Sequence, residues 1–444
     1  MINGNFLLGP ALLLLAATVP AQSVSVPGDF ETIQEAIDAA SSGDFDTISV
    51  GKGIFRENLV ITTAGLTLKG KGKNTVVDGA YLGSCLDVQA DDVTISGMIF
   101  ANGGPAPDAE GGEGGGILYT GVGASISKVE VHACTSFGIK LVGTGEIEDS
   151  LVVASLGPGM WLDSGDTAGP RTVVSHNEVI RSASGIEADD GPFLFEKNLI
   201  RANSGDGIHL TILAAGGTGV GSEPTEVVKN DLQDNVGAGL LLLDEIGSTT
   251  LIEKNSIDGN GVGMDLTASD LTVSKNDLDL TMTVGAWLRT TGMTFEKNVM
   301  RRSTSANIVV QMAPDATDGS NTFTDNDFQT SGGDGVIVES GLNVFEDNLI
   351  KDNFGDGLSI VGGASGNQVL DNTVKDNGHD GIDNSGLLTL ISDNLSKGNL
   401  GADLAGIGDG TGTVDAASAD NTVGDESGLE AAAELELDTI PDAP

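Results

Sequence analysis

The sequence predicts an all-β fold: a single-stranded, right-handed parallel β-helix, a solenoid of about 12 coils with an N-terminal capping helix. Three observations predict it. Asparagine recurs in one context, at Asn177, Asn198, Asn230, Asn255, Asn276, Asn298, Asn326, Asn348, Asn372 and Asn394, with steps of 21, 32, 25, 21, 22, 28, 22, 24 and 22 residues. A floor near one value with occasional insertions is what stacked coils with variable loops produce. Eight or nine residues after most of these asparagines comes Gly and then an alternating apolar strand, as in Gly207-Ile208-His209-Leu210 and Gly357-Leu358-Ser359-Ile360. Finally, the chain holds 65 Gly among 444 residues, few aromatics and no Pro-rich or Ser-rich linker. One long domain without a linker is explained when each unit packs only on its neighbours.

Taken in order, Phe6–Val19 is an apolar run and Val19-Pro20-Ala21 a small-residue cleavage site, so residues 1–21 read as a signal peptide. That run is too short to span a membrane, and no later segment is apolar for long enough. A secreted, periplasmic or cell-surface location follows. Phe30–Ala40 reads as an amphipathic helix with Ile33, Ala36, Ile37 and Ala40 on one face and capping-box spacing at Thr32 and Glu35. It would plug the first coil, whose bare edge otherwise templates aggregation. The β-helix domain is assigned to residues 22–424. In it, each short strand pairs with the same strand of the next coil, and the asparagines form an interior ladder that passes amide hydrogen bonds along the stack. The tight turn at each Asn is expected to need its tolerance of positive φ. The same phase extends back to Gly159-Met160-Trp161-Leu162 and Gly138-Ile139-Lys140-Leu141, with Ser150 and Val129 in the Asn place. Val414–Val423 reads as a last strand, and residues 425–444 as an acidic, disordered tail.

Composition narrows the partners. The net charge of −44 repels nucleic acid, anionic membranes and bare polyanionic glycans. Cys85 and Cys134 make no disulfide framework and are expected as buried free thiols. A monomer is expected.

Phe30-Glu31-Thr32-Ile33-Gln34-Glu35-Ala36-Ile37, then Asp46-Thr47-Ile48-Ser49-Val50, then Phe55-Arg56-Glu57-Asn58-Leu59 resemble the opening of pectin-lyase-like superfamily proteins, notably NosD-like and other parallel β-helix repeat proteins. The repeats from Val93 to Leu400 resemble the same family. The resemblance implies the fold; the superfamily holds lyases, hydrolases, esterases, epimerases and non-enzymatic surface proteins, so it implies no single activity. Of the polygalacturonase-type motifs, Asp189-Asp190 matches one and His209 loosely another, and the rest are missing. Trp161-Leu162-Asp163 stops short of the His of the pectate-lyase motif, and the epimerase Tyr-Gly-Phe-Asp-Pro-His is absent.

Chemistry is sought on the outward columns of the repeated strand. The first reads Lys140, Trp161, Glu187, His209, Leu241, Asp265, Trp287, Val309, Ile337, Ser359, Asp383; the second includes Val142, Asp163, Asp189, Thr211, Leu243, Thr267 and Arg289. Lys140, Trp161, Asp163, Glu187, Asp189 and His209 fall on four successive coils and share a patch about 15 Å long. Carboxylates one rung apart lie about 5 Å apart and two rungs apart about 10 Å, which brackets the retaining and inverting spacings of glycosidases. Asp163, Glu187, Asp189 and His209 are therefore the catalytic candidates, with Lys140 and Trp161 as substrate-binding residues. Longer loops at Gly103–Gly115, Ser164–Arg171 and Ile212–Glu226 would wall a groove. A second patch comprises Asp265, Trp287 and Arg289. His132, His176 and His379 fall in turns. Asp91-Asp92, Asp189-Asp190 and the Gly-Asp-Gly turns at Asp206, Asp334 and Asp356 offer the hard oxygen ligands that Ca2+ takes. The expected function is a secreted carbohydrate-active or carbohydrate-binding protein, acting by glycoside hydrolysis or calcium-assisted lysis on a polysaccharide or cell-surface glycan. The alternative is a non-catalytic surface or periplasmic module with an adhesive or NosD-like accessory role.

Overall fold

A computed structural model describes residues 22–105, 114–164, 170–212, 223–244, 250–313, 319–406 and 422–423. The signal-peptide reading and the 425–444 tail lie outside the described residues, and of the strand read over Val414–Val423 only Thr422–Val423 is described. Each turn supplies three short strands, as in Ile186–Asp189, Phe193–Glu196 and Leu199–Arg201. Each pairs in parallel with its counterpart one turn away. The first and second strands of the turns join in a sheet of 29 strands, and the third strands form a sheet of 16. The helix makes about 15 turns, more than the dozen expected. The extra turns are N-terminal to the Val129 turn, where Met98 fills the Asn place.

Inward residues form apolar columns. Ile139, Met160, Ile186, Ile208, Leu240 and Met264 stack on the first face, all buried. On the second face Phe323 lies flat on Phe345, with ring centroids 4.5 Å apart. The Ile33–Ala40 helix covers the first turn with Ile33, Ala36, Ile37 and Ala40 buried. It starts three residues later than the sequence reading because Thr32 is its cap: the Thr32 hydroxyl accepts the Glu35 N–H at 3.2 Å, and the Glu35 carboxylate accepts the Thr32 N–H at 3.1 Å. Glu57 accepts the N–H groups of Ile33 and Gln34, which no intrahelical carbonyl can reach.

The asparagine ladder is present and buried. Asn255 is typical. Its Oδ1 accepts the Asn230 N–H at 2.8 Å and the Asn230 amide at 3.1 Å; its Nδ2 donates to the Val227 carbonyl at 2.8 Å and to Asn276 Oδ1 at 2.9 Å. The conformational expectation was misplaced by one residue. Positive φ belongs to the residue before each Asn, at 54–59° for His176, Lys197, Lys229, Lys254, Lys275, Lys297, Asp325, Asp347, Asp371 and Asp393. The left-handed backbone swings the next peptide inward, and the Asn amide secures it across two turns. A second ladder runs through Asn203, Asn235 and Asn260 and resumes at Asn353, Asn377 and Asn399. A third links Asn321, Asn343 and Asn367. All three corners of the turn are therefore stapled, toward the C-terminal half most completely.

Candidate functional site

The first-face strands present alternate residues outward, and a glycine opening most of them fixes how closely the turns approach. At Gly207 a Cβ would meet the Gly239 carbonyl oxygen at 2.5 Å and the Asn235 amide nitrogen at 3.0 Å. Only a residue without a side chain lets the ladder and the next turn close here. The resulting register stacks Lys140 on Trp161, Trp161 on Glu187 and Glu187 on His209 in one column, and Val142, Asp163, Asp189 and Thr211 in the next. All six patch residues share one face, each half-buried.

The patch is internally tied. The Lys140 ammonium sits 3.6 Å from the centroid of the Trp161 ring, a cation–π contact that occupies the indole face expected to receive a sugar. Trp161 Nε1 donates to Asp189 Oδ2 at 3.3 Å, one turn on. The Ser184 hydroxyl donates to Glu187 Oε1 at 2.5 Å. His209 Nδ1 lies 3.5 Å from Asp206 Oδ2, while Asp206 Oδ1 accepts the Ala238 N–H at 2.7 Å. Ser184 was not among the sequence candidates, and Asp206 was singled out only as an oxygen ligand for Ca2+, not as a partner of His209. Both occupy the position three residues before the outward residue they hold, one column back at the corner, and that offset was readable in the repeat.

The loops expected to wall a groove fall largely outside the described residues, but two of their feet are linked. Arg171 donates to Glu226 at 2.8 Å and lies 3.4 Å from Glu223. The second patch holds together differently. Arg289 pairs with Asp265 and approaches the Trp287 ring to 5.6 Å, beside a small outward apolar cluster of Val284, Ala306 and Val309. Val309, expected outward, is only 3% exposed. His132 is a strand residue, not a turn residue: it ends Glu130–His132 and lies 3.1 Å from the Glu130 carboxylate. His176 is in the left-handed corner as described.

The Gly-Asp-Gly carboxylates have backbone partners. Asp334 accepts the Asp356 N–H at 2.8 Å, Asp356 the Asp380 N–H at 2.9 Å, and Asp380 the Ala402 N–H at 2.6 Å. They form a carboxylate ladder at the corner. Asp91 likewise accepts the Val122 N–H at 2.9 Å. Among the described residues no group of three or more His, Cys, Asp or Glu side chains is arranged to hold a metal ion. Cys85 and Cys134 are free and buried; burial pushes the Cys85 thiol up to about 12 and Cys134 to about 11. No helix among the described residues is long and apolar enough to cross a membrane.

A family profile described as "Right handed beta helix region" matches residues 58–215 and 267–414. None of the curated proteins matches the chain. Among solved structures it is similar to the A-module of the Azotobacter vinelandii mannuronan C-5 epimerase AlgE4, at 16% identity over 88% of this chain and 90% of that one, with a TM-score of 0.27. It is also similar to PfbA, a surface adhesin of Streptococcus pneumoniae, at 12% identity over 81% and 89%, TM-score 0.36. A third is the catalytic domain of a GH87 α-1,3-glucanase, at 13% identity over 95% and 70%, TM-score 0.33.

Proposed function

The chain belongs to the right-handed β-helix family, and on that scaffold we propose that it is an exported carbohydrate-active protein whose Lys140–His209 patch engages a glycan. One observation carries the reading: register alone brings an aromatic ring, three carboxylates and an imidazole onto one face of four consecutive turns. A protein of net charge −44 selects a neutral chain, or an anionic one only when Ca2+ bridges it. Trp161 offers the ring face, for which a sugar competes with Lys140.

Adjacent-rung carboxylates Asp163 and Asp189 lie about 5 Å apart, and Glu187 and Asp163, offset by one rung and two residues, about 8 Å apart. The latter spacing suits inversion. Glu187 delivers its proton to the glycosidic oxygen as the bond to the anomeric carbon breaks. A water attacks that carbon from the opposite side and gives its proton to Asp163. Asp189, held by the Trp161 N–H, fixes the indole and is the alternative acid; Ser184 and Asp206 position Glu187 and His209. A release assay for reducing ends and for unsaturated products, across neutral polysaccharides, tests this. Glu187→Gln and Asp189→Asn should each lower turnover by about 10²-fold or more with the fold unchanged. Unchanged turnover in both would remove the catalytic reading.

A second reading, a non-catalytic binding or adhesive module, is favoured by one feature. Trp161, Asp189, Glu187 and His209 each already have a partner within or beside the patch. Such a surface recognises without reacting. Export is tested by N-terminal sequencing of the protein outside the cytoplasm, which should begin at Gln22.

A further inference from the structure

The residue after each member of the second ladder turns outward, and its N–H donates to a corner carbonyl one turn back, as Leu156 does to Cys134, Val236 to Asn203 and Phe354 to Ser331. These residues form one ridge with one position per turn. Ten successive strand pairings separate Leu156 from Leu400, or about 48 Å. Five large apolar side chains stand on this length, Leu156, Val236, Met282, Phe354 and Leu400, exposed at 75, 65, 61, 74 and 79%. No two of them occupy adjacent turns. The turns between carry Gly261, Gly332 and Gly378, or Ala183, Ser204 and Thr304. A Cβ on Gly261, Gly332 or Gly378 would meet a carbonyl oxygen one turn back at 2.2, 2.2 or 2.1 Å, so these gaps cannot be filled from within the helix.

This row of knobs and gaps is complementary to itself. A two-fold axis across the ridge, midway between the turns of Gly261 and Met282, runs a second copy antiparallel along it. Leu156 of one copy then meets Gly378 of the other, Phe354 meets Ala183, Val236 meets Thr304 and Met282 meets Gly261. Leu400 meets Thr135, which lies one turn before Leu156. Every large side chain faces a smaller one. Displacing the axis by half a turn in one direction sets Leu156 on Phe354 and Val236 on Met282. In the other direction it sets Leu156 on Leu400 and Met282 on itself.

Charge follows the same axis. The residue two before each ridge position forms a flanking column, and its charged members are Arg181, Asp234, Arg302, Asp352 and Asp376, all at positive φ and all exposed. The axis sets Arg181 against Asp352, Asp234 against Arg302, and Asp376 against Ala154. Arg302 also holds Asp279 of its own chain at 2.7 Å, and Asp352 lies 3.9 Å from Lys351, so the new pairs share these groups. On the other flank Val262 meets Val284, and one like-charged meeting remains, Asp206 with Asp334. His209 lies 3.5 Å from Asp206, and burial already raises the Asp334 pKa. From Asp352 to Asp356 the corner spans four residue steps, about 12 Å, so the strip offers about 600 Å² per copy, the size at which specific interfaces begin. We propose that the chain forms a reversible two-fold dimer through this ridge, the monomer expected from the sequence being its dilute form.

Sedimentation equilibrium of the full chain over about 1–100 μM, in about 0.15 M salt so that charges more than about 8 Å apart are screened, reads the association. The mass should rise across this range to twice that of one chain. Phe354→Ser should weaken association at least about tenfold. Arg181→Asp and Asp352→Arg should each weaken it at least about threefold, because each sets like charges together. Both changes in one chain restore an opposite pair at both ends of the ridge and should return association to within about twofold of the original. All three sites are exposed, and circular dichroism checks that the variants keep the fold. The mass of a single chain at about 100 μM would overturn the proposal. So would a doubled mass indifferent to Phe354→Ser, which would place the interface elsewhere, or a double charge variant weaker than either single one.

Discussion

Replacing Asn255 by Leu removes the side chain that ties three turns together. Asn255 is 1% exposed, so water cannot substitute for what is lost. The Asn230 N–H loses its acceptor, and the Val227 carbonyl, the Asn230 amide and Asn276 Oδ1 each lose a bond. Two of these are cushioned: the Asn230 amide still reaches the Phe195 carbonyl, and Asn276 Oδ1 still accepts the Asn255 N–H. One fully orphaned buried donor and one weakened carbonyl, at about 1–3 kcal/mol each, partly offset by the apolar gain of Leu, predict a loss of about 2–4 kcal/mol. Urea denaturation followed by circular dichroism measures it. Because Asn230 and Asn255 share bonds, the double variant Asn230→Leu with Asn255→Leu should cost less than the sum of the single changes. A loss below about 0.5 kcal/mol, or strict additivity, would refute the ladder as a source of stability.

Other outcomes follow from the same geometry. Lys254, at φ 58°, should tolerate Gly within about 1 kcal/mol but lose clearly more with Val, whose branched side chain resists the left-handed region; equal effects would contradict the corner assignment. Burial, reinforced by Asp356, raises the Asp334 pKa against the bond from the Asp356 N–H. A carboxyl whose folded pKa exceeds its unfolded value destabilises when charged, so stability contributed by this group rises as pH falls through the folded pKa. Asp334→Asn keeps the acceptor and drops the charge; it should raise the melting temperature at pH 7 and lose that advantage on acidification, and a lower melting temperature at pH 7 would count against it. Deleting residues 22–45 removes the capping helix and should turn a dispersed protein into an aggregating one by light scattering; an unchanged monomer would remove the plug. Cys85 and Cys134 should resist a thiol reagent at pH 8 until the chain is unfolded.

The fold and the placement of the patch were legible because a strand has only two sides. Once Gly-apolar-x-apolar fixed the phase, Trp161, Glu187 and His209 had to share one column and Asp163 and Asp189 the next. The first asparagine ladder was legible because Asn fills it in ten consecutive turns. The second was hidden by Ser155, Ser182, Thr281, Ser303 and Ser331, smaller polar residues that occupy the same corner and break the count. The positive-φ residues were missed for a physical reason: tertiary hydrogen bonding from the next residue sustains the left-handed conformation in Lys and Asp, which local preference alone would not choose. What side chains do within the patch was not legible either. That Lys140 lies on Trp161, and that Trp161 reaches Asp189, depends on rotamers rather than on register.

The most direct test of the functional account is binding of the full chain to an array of neutral and uronate glycans, run beside Trp161→Ala and the double variant Asp163→Asn with Glu187→Gln. The account predicts saturable binding to a neutral glycan, or to a uronate only with Ca2+ present, reduced at least tenfold by Trp161→Ala and by the double variant. Binding that survives both changes, or no binding to any glycan, would contradict a carbohydrate site on this face.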